Sequence, residues 1–251
     1  MHHIVDRFVI VEADKTFTGL PKRQKFRYEN FEPFREKIRY FFIDTLDQNP
    51  SSPWSNETLQ RNSLALGFHD LKGADIIILS DVDEIPNPDA ILKFDTNRFI
   101  YASLNQTLHY FRLSYQSFTN EGQPLIWQKA KIITFENFKK HFAKLDLLRS
   151  EKVMGLTRSF KRFYLKRHRQ NIDSGGWHFS YLMTPDQIYE KIQSFSHTEL
   201  NTSEFNDKNR FQEAIKYLQN PFNPNSFLRK IDISNQFPIE IGSMEFFKKW
   251  I

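Results

Sequence analysis

Apolar residues form short continuous runs in the first hundred residues of the chain. The runs at 6–12, 37–43 and 75–79 are rich in Val, Ile and Phe, which is typical of strands covered on both faces. Between the second and third runs, residues 56–71 have the spacing of an amphipathic helix, and Ser55 is its predicted N-cap. This order predicts an α/β arrangement with parallel strands, in which the first two runs are central or near-central strands.

The pattern becomes less regular after residue 100. It predicts strands at 100–102, 108–113 and 129–135 and helices near 138–149, 184–197 and 204–218. The 184–197 helix has the clearest start, because Thr184 is a cap residue, Pro185 suits the first helical position and Gln187 completes a capping box. This half is typical of α+β structure. No linker or repeat separates the halves, so residues 1–251 are predicted to form a single domain.

Composition narrows the possible chemistry. The chain has no Cys, which excludes thiolate metal sites and cysteine nucleophiles and leaves oxygen and imidazole ligands. Apolar residues make up 39% of 251 residues, enough for a buried core. A net charge of +5 is too small over this length to demand nucleic acid as a partner. No apolar run approaches the ~20 residues that cross a bilayer, and no signal peptide opens the chain, so the expected location is the cytoplasm or a cytoplasmic membrane surface.

The most informative segment follows the third apolar run. Asp81, Asp83 and Glu84 come directly after Ile76-Ile-Ile-Leu79, at the end of a predicted strand where open α/β sheets bind ligands. Carboxylate oxygens favour Mg²⁺ or Mn²⁺, and both aspartates can approach one ion and the diphosphate that it bridges. The alternative interpretation is that the acids only end a strand that turns at Pro86.

Arg61 lies on the helix that precedes this strand. An Arg in this place can neutralise a phosphate or pair with a carboxylate of the acidic segment. The alternative is a solvated side chain on the helix surface.

A second candidate segment, residues 173–181, combines glycines, an aromatic ring and an imidazole. Gly175 and Gly176 permit close approach of the backbone, Trp177 can stack on a sugar, and His178 can bind metal or phosphate. The alternative is a turn that enters a strand with a histidine satisfied in the core.

Basic residues cluster at 158–169, where they are interleaved with Phe160, Phe163 and Tyr164. Such a run can attract nucleic acid, anionic lipid head groups or a phosphorylated substrate. The favoured interpretation is a half-buried strand with a solvated basic face.

Taken together, these segments resemble glycosyltransferase family 17. The resemblance extends from about residue 5 to 210 and is carried by the segments 5–12, 16–22, 60–62, 81–86, 175–181 and 184–189. Asp-Val-Asp-Glu-Ile-Pro at 81–86 and Gly-Trp-His at 176–178 are together far more specific than either alone.

The resemblance implies a GT-A-like, Rossmann-like nucleotide-sugar fold with a mixed, mainly parallel central sheet. It also implies a UDP-sugar donor, UDP-GlcNAc first, and inverting transfer to a glycan or glycolipid acceptor with Mn²⁺ or Mg²⁺. Residues 1–100 would form the nucleotide-binding half and residues 101–251 the acceptor-binding half. The implied metal ligands are Asp81, Asp83 and His178; the donor contacts are Glu12, Arg61, Asn62 and Asp81; the acceptor contacts are Gly175, Gly176 and Trp177. For the catalytic base, Asp173 is the first candidate, with Glu84 and Glu121 as rivals.

One departure from the family pattern concerns the start of the chain. Family members usually begin with an earlier strand and helix, so we expect the strand at 6–12 to have an edge without a strand partner. That edge would favour dimerisation or covering by the C-terminal segment. Two other functions stay open: a metal-dependent phosphoesterase or nuclease that uses Asp81, Asp83, His178 and the basic run, and a glycan-binding relic without catalysis.

Overall fold

The computed structural model describes residues 1–153, 158–194 and 207–233, together with Phe237 and Trp250. The strands are β1 Phe8–Ala13, β2 Ile38–Ile43, β3 Ile76–Leu79, β4 Glu84–Pro86, β5 Tyr101–Tyr110, β6 Tyr115–Thr119, β7 Ile126–Trp127, β8 Lys131–Thr134, β9 Arg169–Ser180 and β10 Ser226–Lys230. The α-helices are α1 Pro53–Ser63, α2 Pro88–Ile91, α3 Phe135–His141, α4 Leu145–Ser150, α5 Arg158–Arg167, α6 Pro185–Ser194 and α7 Lys208–Lys216. Two 3₁₀ helices span Tyr28–Lys37 and Leu64–Phe68.

The larger sheet has eight strands and is mostly antiparallel. Its main path runs β10-β6-β5-β8-β3, β7 and β9 also pair with β5, and β4 pairs with β9. Only the β5–β9 pair of this sheet is parallel among the described strands. The structure is α/β as predicted, but the expectation of a mainly parallel central sheet was wrong. A continuous apolar run shows only that both faces of a strand are covered. Whether neighbouring strands are parallel depends on the segments that connect them, and the short loop from β5 to β6 requires these two strands to be antiparallel.

Strands β1 and β2 form a separate, two-stranded parallel sheet. Both strands were predicted correctly, but their central position was wrong. Within the described residues, β1 pairs with β2 and β3 pairs with β8. Most of the C-terminal segment that was expected to cover the other edge of β1 (residues 234–236, 238–249 and 251) lies outside the described residues. Trp250 packs elsewhere, with Leu113 and Phe179.

The helix before β3 begins earlier than predicted. Its N-cap is Ser52, whose hydroxyl accepts a hydrogen bond from the Trp54 backbone at 3.3 Å, and Pro53 occupies the first helical position. Ser55 is therefore not the cap, because a proline with fixed φ sets the first turn one residue after Ser52. The helix predicted near 138–149 is two helices, α3 and α4, which are separated at Ala143 with φ of 59°.

The capping box at the start of α6 is confirmed. The Gln187 side chain accepts from the Thr184 backbone at 3.0 Å, and the Thr184 hydroxyl accepts from the Gln187 backbone at 3.4 Å. Residues 195–197 and 204–206, at the ends of the predicted helices, lie outside the described residues.

The basic run is a helix, α5, and not the predicted strand. Its aromatic residues Phe160, Phe163 and Tyr164 are three and four positions apart, which is the helical period, and Leu165 anchors the opposite side in the core. No helix in the described part of the chain is long and apolar enough to cross a membrane.

Helices cover both faces of the large sheet around β3, β5 and β8. On one face Ile77, Tyr101 and Ile133 pack with side chains of α3, α4 and α5. On the other face Ala102 and Ile132 pack with Ile91 of α2 and with Phe94, which follows α2. The apolar character of β3 follows from this double covering, and the chain leaves the core where β3 ends at Leu79.

Candidate active site

The acidic loop, residues 81–84, connects β3 to β4 and is held by backbone hydrogen bonds. The Glu84 N–H donates to the Asp81 carbonyl at 3.0 Å, which closes a turn whose tip, Val82, is 99% exposed. The Phe179 N–H of β9 donates to the Asp83 carbonyl at 2.8 Å. The loop is thus fastened to β9, which brings residue 178 opposite residue 84.

Arg149, at the end of α4, joins two acids of the loop. Its guanidinium donates to the two oxygens of Glu84 at 2.8 and 2.9 Å and to Asp81 Oδ2 at 2.5 Å, and the Trp127 indole N–H also donates to Glu84. The Glu84 side chain is fully buried. Burial raises the pKa of Glu84, but the hydrogen bonds and charge of Arg149 outweigh it and hold that pKa below its ordinary value. Glu84 is therefore a buried carboxylate at neutral pH.

Arg61 approaches the same loop from α1. Its guanidinium donates to Glu57 at 2.7 Å and to Asp146 at 3.1 Å, and it lies 3.5 Å from Asp81 Oδ1. Its Nε is buried and has no hydrogen-bond partner among the described residues. The neighbouring Asn62 accepts from the Asp146 backbone at 3.1 Å. Arg61 thus pairs with an acid of the loop, as the sequence suggested.

Asp83, the remaining acid of the loop, has different neighbours. Asp83 Oδ1 lies 3.5 Å from His178 Nε2, and Asp83 Oδ2 lies 3.7 Å from the Lys191 ammonium of α6. Burial raises the pKa of Asp83, but His178 and Lys191 together lower it below its usual range. The Trp127 ring lies against His178, with 4.4 Å between ring centroids. His178 Nδ1 is buried without a hydrogen-bond partner in the described part of the chain.

The predicted metal ligands are only partly brought together. Among the described residues, no group of three or more His, Asp or Glu side chains is placed to hold a metal ion. Asp83 and His178 are adjacent, whereas Asp81 is paired with Arg149 and Arg61. Mg²⁺ is commonly bound through one or two carboxylates and completes its shell with water and substrate phosphates. The Asp83 carboxylate, with His178 beside it, suits an ion held in that way.

Glu12, a predicted donor contact, organises a loop of the smaller sheet. Its carboxylate accepts from the backbone N–H groups of Lys25 at 2.8 Å and Phe26 at 3.0 Å, and from the Tyr40 hydroxyl at 3.0 Å. Burial raises the pKa of Glu12, yet these hydrogen bonds lower it overall. Its oxygens therefore hold the segment that follows β1.

The predicted acceptor contacts lie where β9 passes closest to β4 and β5. Gly176 has φ of 124°, and a Cβ there would lie 2.1 Å from the Ile85 carbonyl oxygen. A Cβ at Gly175 would lie 2.7 Å from the Asn105 backbone nitrogen. The Trp177 ring packs 5.4 Å from the Phe237 ring. The close approach of β9 to β4 and β5 is therefore sufficient to require glycine at both positions, without any role in acceptor binding.

Substitution of Gly176 by alanine should destabilise the protein strongly. The new methyl group would overlap the Ile85 backbone, and alanine would have to keep the positive φ of 124° that a residue with a Cβ disfavours, so we expect a loss of more than about 3 kcal/mol in the free energy of unfolding. Gly122→Ala is the matched control, because Gly122 also has positive φ, 81°, but open space around its Cβ. It should lose only about 1–2 kcal/mol. Equal losses in urea unfolding would contradict the steric argument.

Of the three candidate bases, Asp173 and Glu121 lie outside the acidic loop. Asp173 is exposed, accepts from the Asn105 side chain at 2.6 Å, and lies five positions before His178, where the pairing of β9 with β5 shifts register. Glu121 is exposed in the turn between β6 and β7.

Three residues of the site were missed by sequence reasoning. Arg149, Trp127 and Lys191 come from α4, β7 and α6, far from the acidic loop along the chain. Arg149 could have been identified from the segment Leu145-Asp-Leu-Leu-Arg149, because an Arg next to several Leu residues of a predicted helix can be buried. A buried Arg requires an acidic partner.

Comparison with known proteins adds an independent observation. The model of Glycosyltransferase family 17 matches residues 1–151. The curated proteins named beta-1,4-mannosyl-glycoprotein 4-beta-N-acetylglucosaminyltransferase from Rattus norvegicus and Homo sapiens are each 26% identical over 211 residues, which cover 76% of this chain and 38% of the relative. The chain thus spans about two fifths of the length of these relatives. No solved structure matches the chain significantly.

Proposed function

Because the chain belongs to glycosyltransferase family 17, we propose that it transfers a sugar from a nucleotide-sugar donor to a hydroxyl of a glycan acceptor. The observation that carries the proposal is the acidic loop, in which Arg149 holds Asp81 and Glu84 while Asp83 stands beside His178 and Lys191. UDP-GlcNAc is the proposed donor, since the matched relatives are named N-acetylglucosaminyltransferases.

The cations around the loop suit a donor diphosphate. Lys191 can donate to phosphate oxygens, Arg61 adds positive charge beside Asp81, and His178 lies on the same side of the loop as Asp83. Asp83 and His178 would hold Mn²⁺ or Mg²⁺, which when bound offsets negative charge on the diphosphate. Asp81 would then contribute by keeping Arg61 and Arg149 in place.

Glu84 is better suited to positioning than to proton transfer. A general base must reach the proton that it abstracts, and both Glu84 oxygens already accept hydrogen bonds inside the core. We propose that Glu84, Arg149 and Trp127 fix the geometry of the loop. Asp173 stays the proposed base, which requires the acceptor hydroxyl to lie along β9 towards Asn105, with Trp177 stacking on a sugar.

A donor panel tests the proposed function. We expect UDP-GlcNAc with Mn²⁺ to raise the melting temperature, while GDP- and dTDP-sugars do not. At a ligand concentration of about 100 times Kd, the stabilisation is about 2.7 kcal/mol, or roughly 5–10 °C for a chain of this size. Release of UDP should depend on an added glycan acceptor.

The same preparation separates the other functions. Cleavage of a phosphodiester substrate without any response to nucleotide sugars would favour the phosphoesterase. A melting temperature that no nucleotide sugar changes, with or without metal, would favour the glycan-binding relic.

A further inference from the structure

Helix α5 turns aromatic side chains towards solvent. Phe160, Phe163 and Tyr164 are 82%, 63% and 48% exposed, whereas Leu165 on the opposite side is buried. With Arg167, these residues occupy positions i, i+3, i+4 and i+7, so they share one face of the helix. We call Phe160, Phe163, Tyr164 and Arg167 the outer face of α5. An amphipathic helix normally packs its aromatic face against the core, and this one does the reverse.

Positive charge surrounds the outer face. No acidic residue occurs between 158 and 169, and Lys161 and Lys166 flank the outer face on its two sides. Helix α3 lies alongside, since the His141 ring is 6.4 Å from the Tyr164 ring, and it adds Lys139 and Lys140 in its last turn. The basic surface is therefore continuous over two helices.

A cavity of about 460 Å³ opens behind α5. Arg162, Lys166 and Arg169 line it together with Glu151. The Glu151 carboxylate already accepts two hydrogen bonds from Arg169, at 2.8 and 2.9 Å, and one from Lys131 at 2.6 Å. The acid is thus neutralised, and among the described residues no acid forms an ion pair with Arg162 or Lys166 at the cavity wall.

We propose that the outer face of α5 docks on a membrane surface rich in anionic phospholipid. The aromatic rings would enter the boundary between head groups and acyl chains, and the flanking Lys and Arg side chains would contact lipid phosphates. Charge alone would suit RNA equally well. The exposed Phe160 and Phe163 rings favour lipid, because Phe side chains on one face of a basic amphipathic helix are typical of helices that lie at a bilayer interface.

Vesicle co-sedimentation of the full chain tests the proposal. We expect binding to phosphatidylcholine vesicles that contain about one third phosphatidylglycerol, and little binding to pure phosphatidylcholine. Lys166→Gln with Arg167→Gln, which removes two exposed charges at the outer face, should weaken binding roughly 10- to 30-fold, since each basic residue near the surface contributes about 1 kcal/mol. Phe160→Ser with Phe163→Ser should weaken it about tenfold or more at unchanged charge.

The matched control removes two charges elsewhere. Lys216→Gln with Lys230→Gln alters exposed residues of α7 and β10 and should leave binding within about twofold. Phe163 also lines the cavity, so Phe160→Ser alone serves as the aromatic variant if the double variant lowers the melting temperature.

Three outcomes would overturn the proposal. The first is equal binding to neutral and anionic vesicles, or none to either. The second is an equal loss in the control and in the α5 variants. The third is retention of vesicle binding by the aromatic variant together with tight binding of a single-stranded RNA oligonucleotide, which would assign the surface to nucleic acid.

Discussion

Replacing Arg149 with alanine is expected to lower the free energy of unfolding by about 3–5 kcal/mol, because it leaves the fully buried carboxylate of Glu84 without its counter-charge. For a chain of this size the melting temperature should fall by roughly 6–20 °C. Glu84 would retain only the Trp127 indole and the Asp81 backbone as donors. Thermal and urea unfolding measure the loss.

Two comparisons assign this loss to the buried charge. Arg149→Ala combined with Glu84→Gln should recover part of the stability, since the uncompensated carboxylate is gone. Arg98→Ala on the exposed surface, by contrast, should change stability by less than about 0.5 kcal/mol.

The stability lost by Arg149→Ala relative to the native protein should also shrink as pH falls towards 4. Without Arg149, burial raises the pKa of Glu84, so the group becomes neutral at a higher pH than in the native protein. A deficit that is constant with pH and unaffected by Glu84→Gln would contradict this account.

The second large effect is expected for Asp83→Asn. The substitution removes the carboxylate beside His178 and Lys191, and we expect donor affinity measured with Mn²⁺ to fall by about a hundredfold or more. Stability should fall only modestly, because the substitution removes the favourable pairing with His178 and Lys191 that lowers the pKa of Asp83, but the side chain is 28% exposed. Asp81→Asn should weaken donor binding less, since Asp81 is paired with arginines.

Asp89→Asn is the matched control for this measurement. Asp89 is an exposed acid in α2, six residues from Asp83, and its replacement should leave donor affinity unchanged. Calorimetry that finds undiminished Mn²⁺-dependent UDP affinity in Asp83→Asn would remove Asp83 from the proposed metal site.

The sequence alone located most elements around the acidic loop. The strands β1, β2 and β3 and the start of α6 agree with the predicted segments, because burial on both faces and helix capping are local properties of a few consecutive residues. The acidic loop itself was recognisable because its three carboxylates directly follow an apolar strand. The family resemblance rested on the same local segments and was confirmed by the family model.

One local pattern was available but was interpreted incorrectly. The aromatic residues of α5 have helical spacing, yet their alternation with basic residues also matched a half-buried strand. The spacing alone does not show which face is buried. Leu165, which packs in the core, and the exposure of Phe160 decide that question only in the folded protein.

Strand direction and the compensation of charge were decided by tertiary structure. An apolar run such as β3 shows that a strand is covered but carries no information on its partner, and here β8 pairs with it in the antiparallel sense. Arg149 is 65 residues from Glu84 along the chain, so no local pattern links them. A buried carboxylate is tolerated only where a counter-charge reaches it, and which segment supplies that charge depends on how α4 packs against the end of β3. The acids of the candidate site were therefore visible in the sequence, but their division into an arginine-bound pair and a separate Asp83–His178 pair was not.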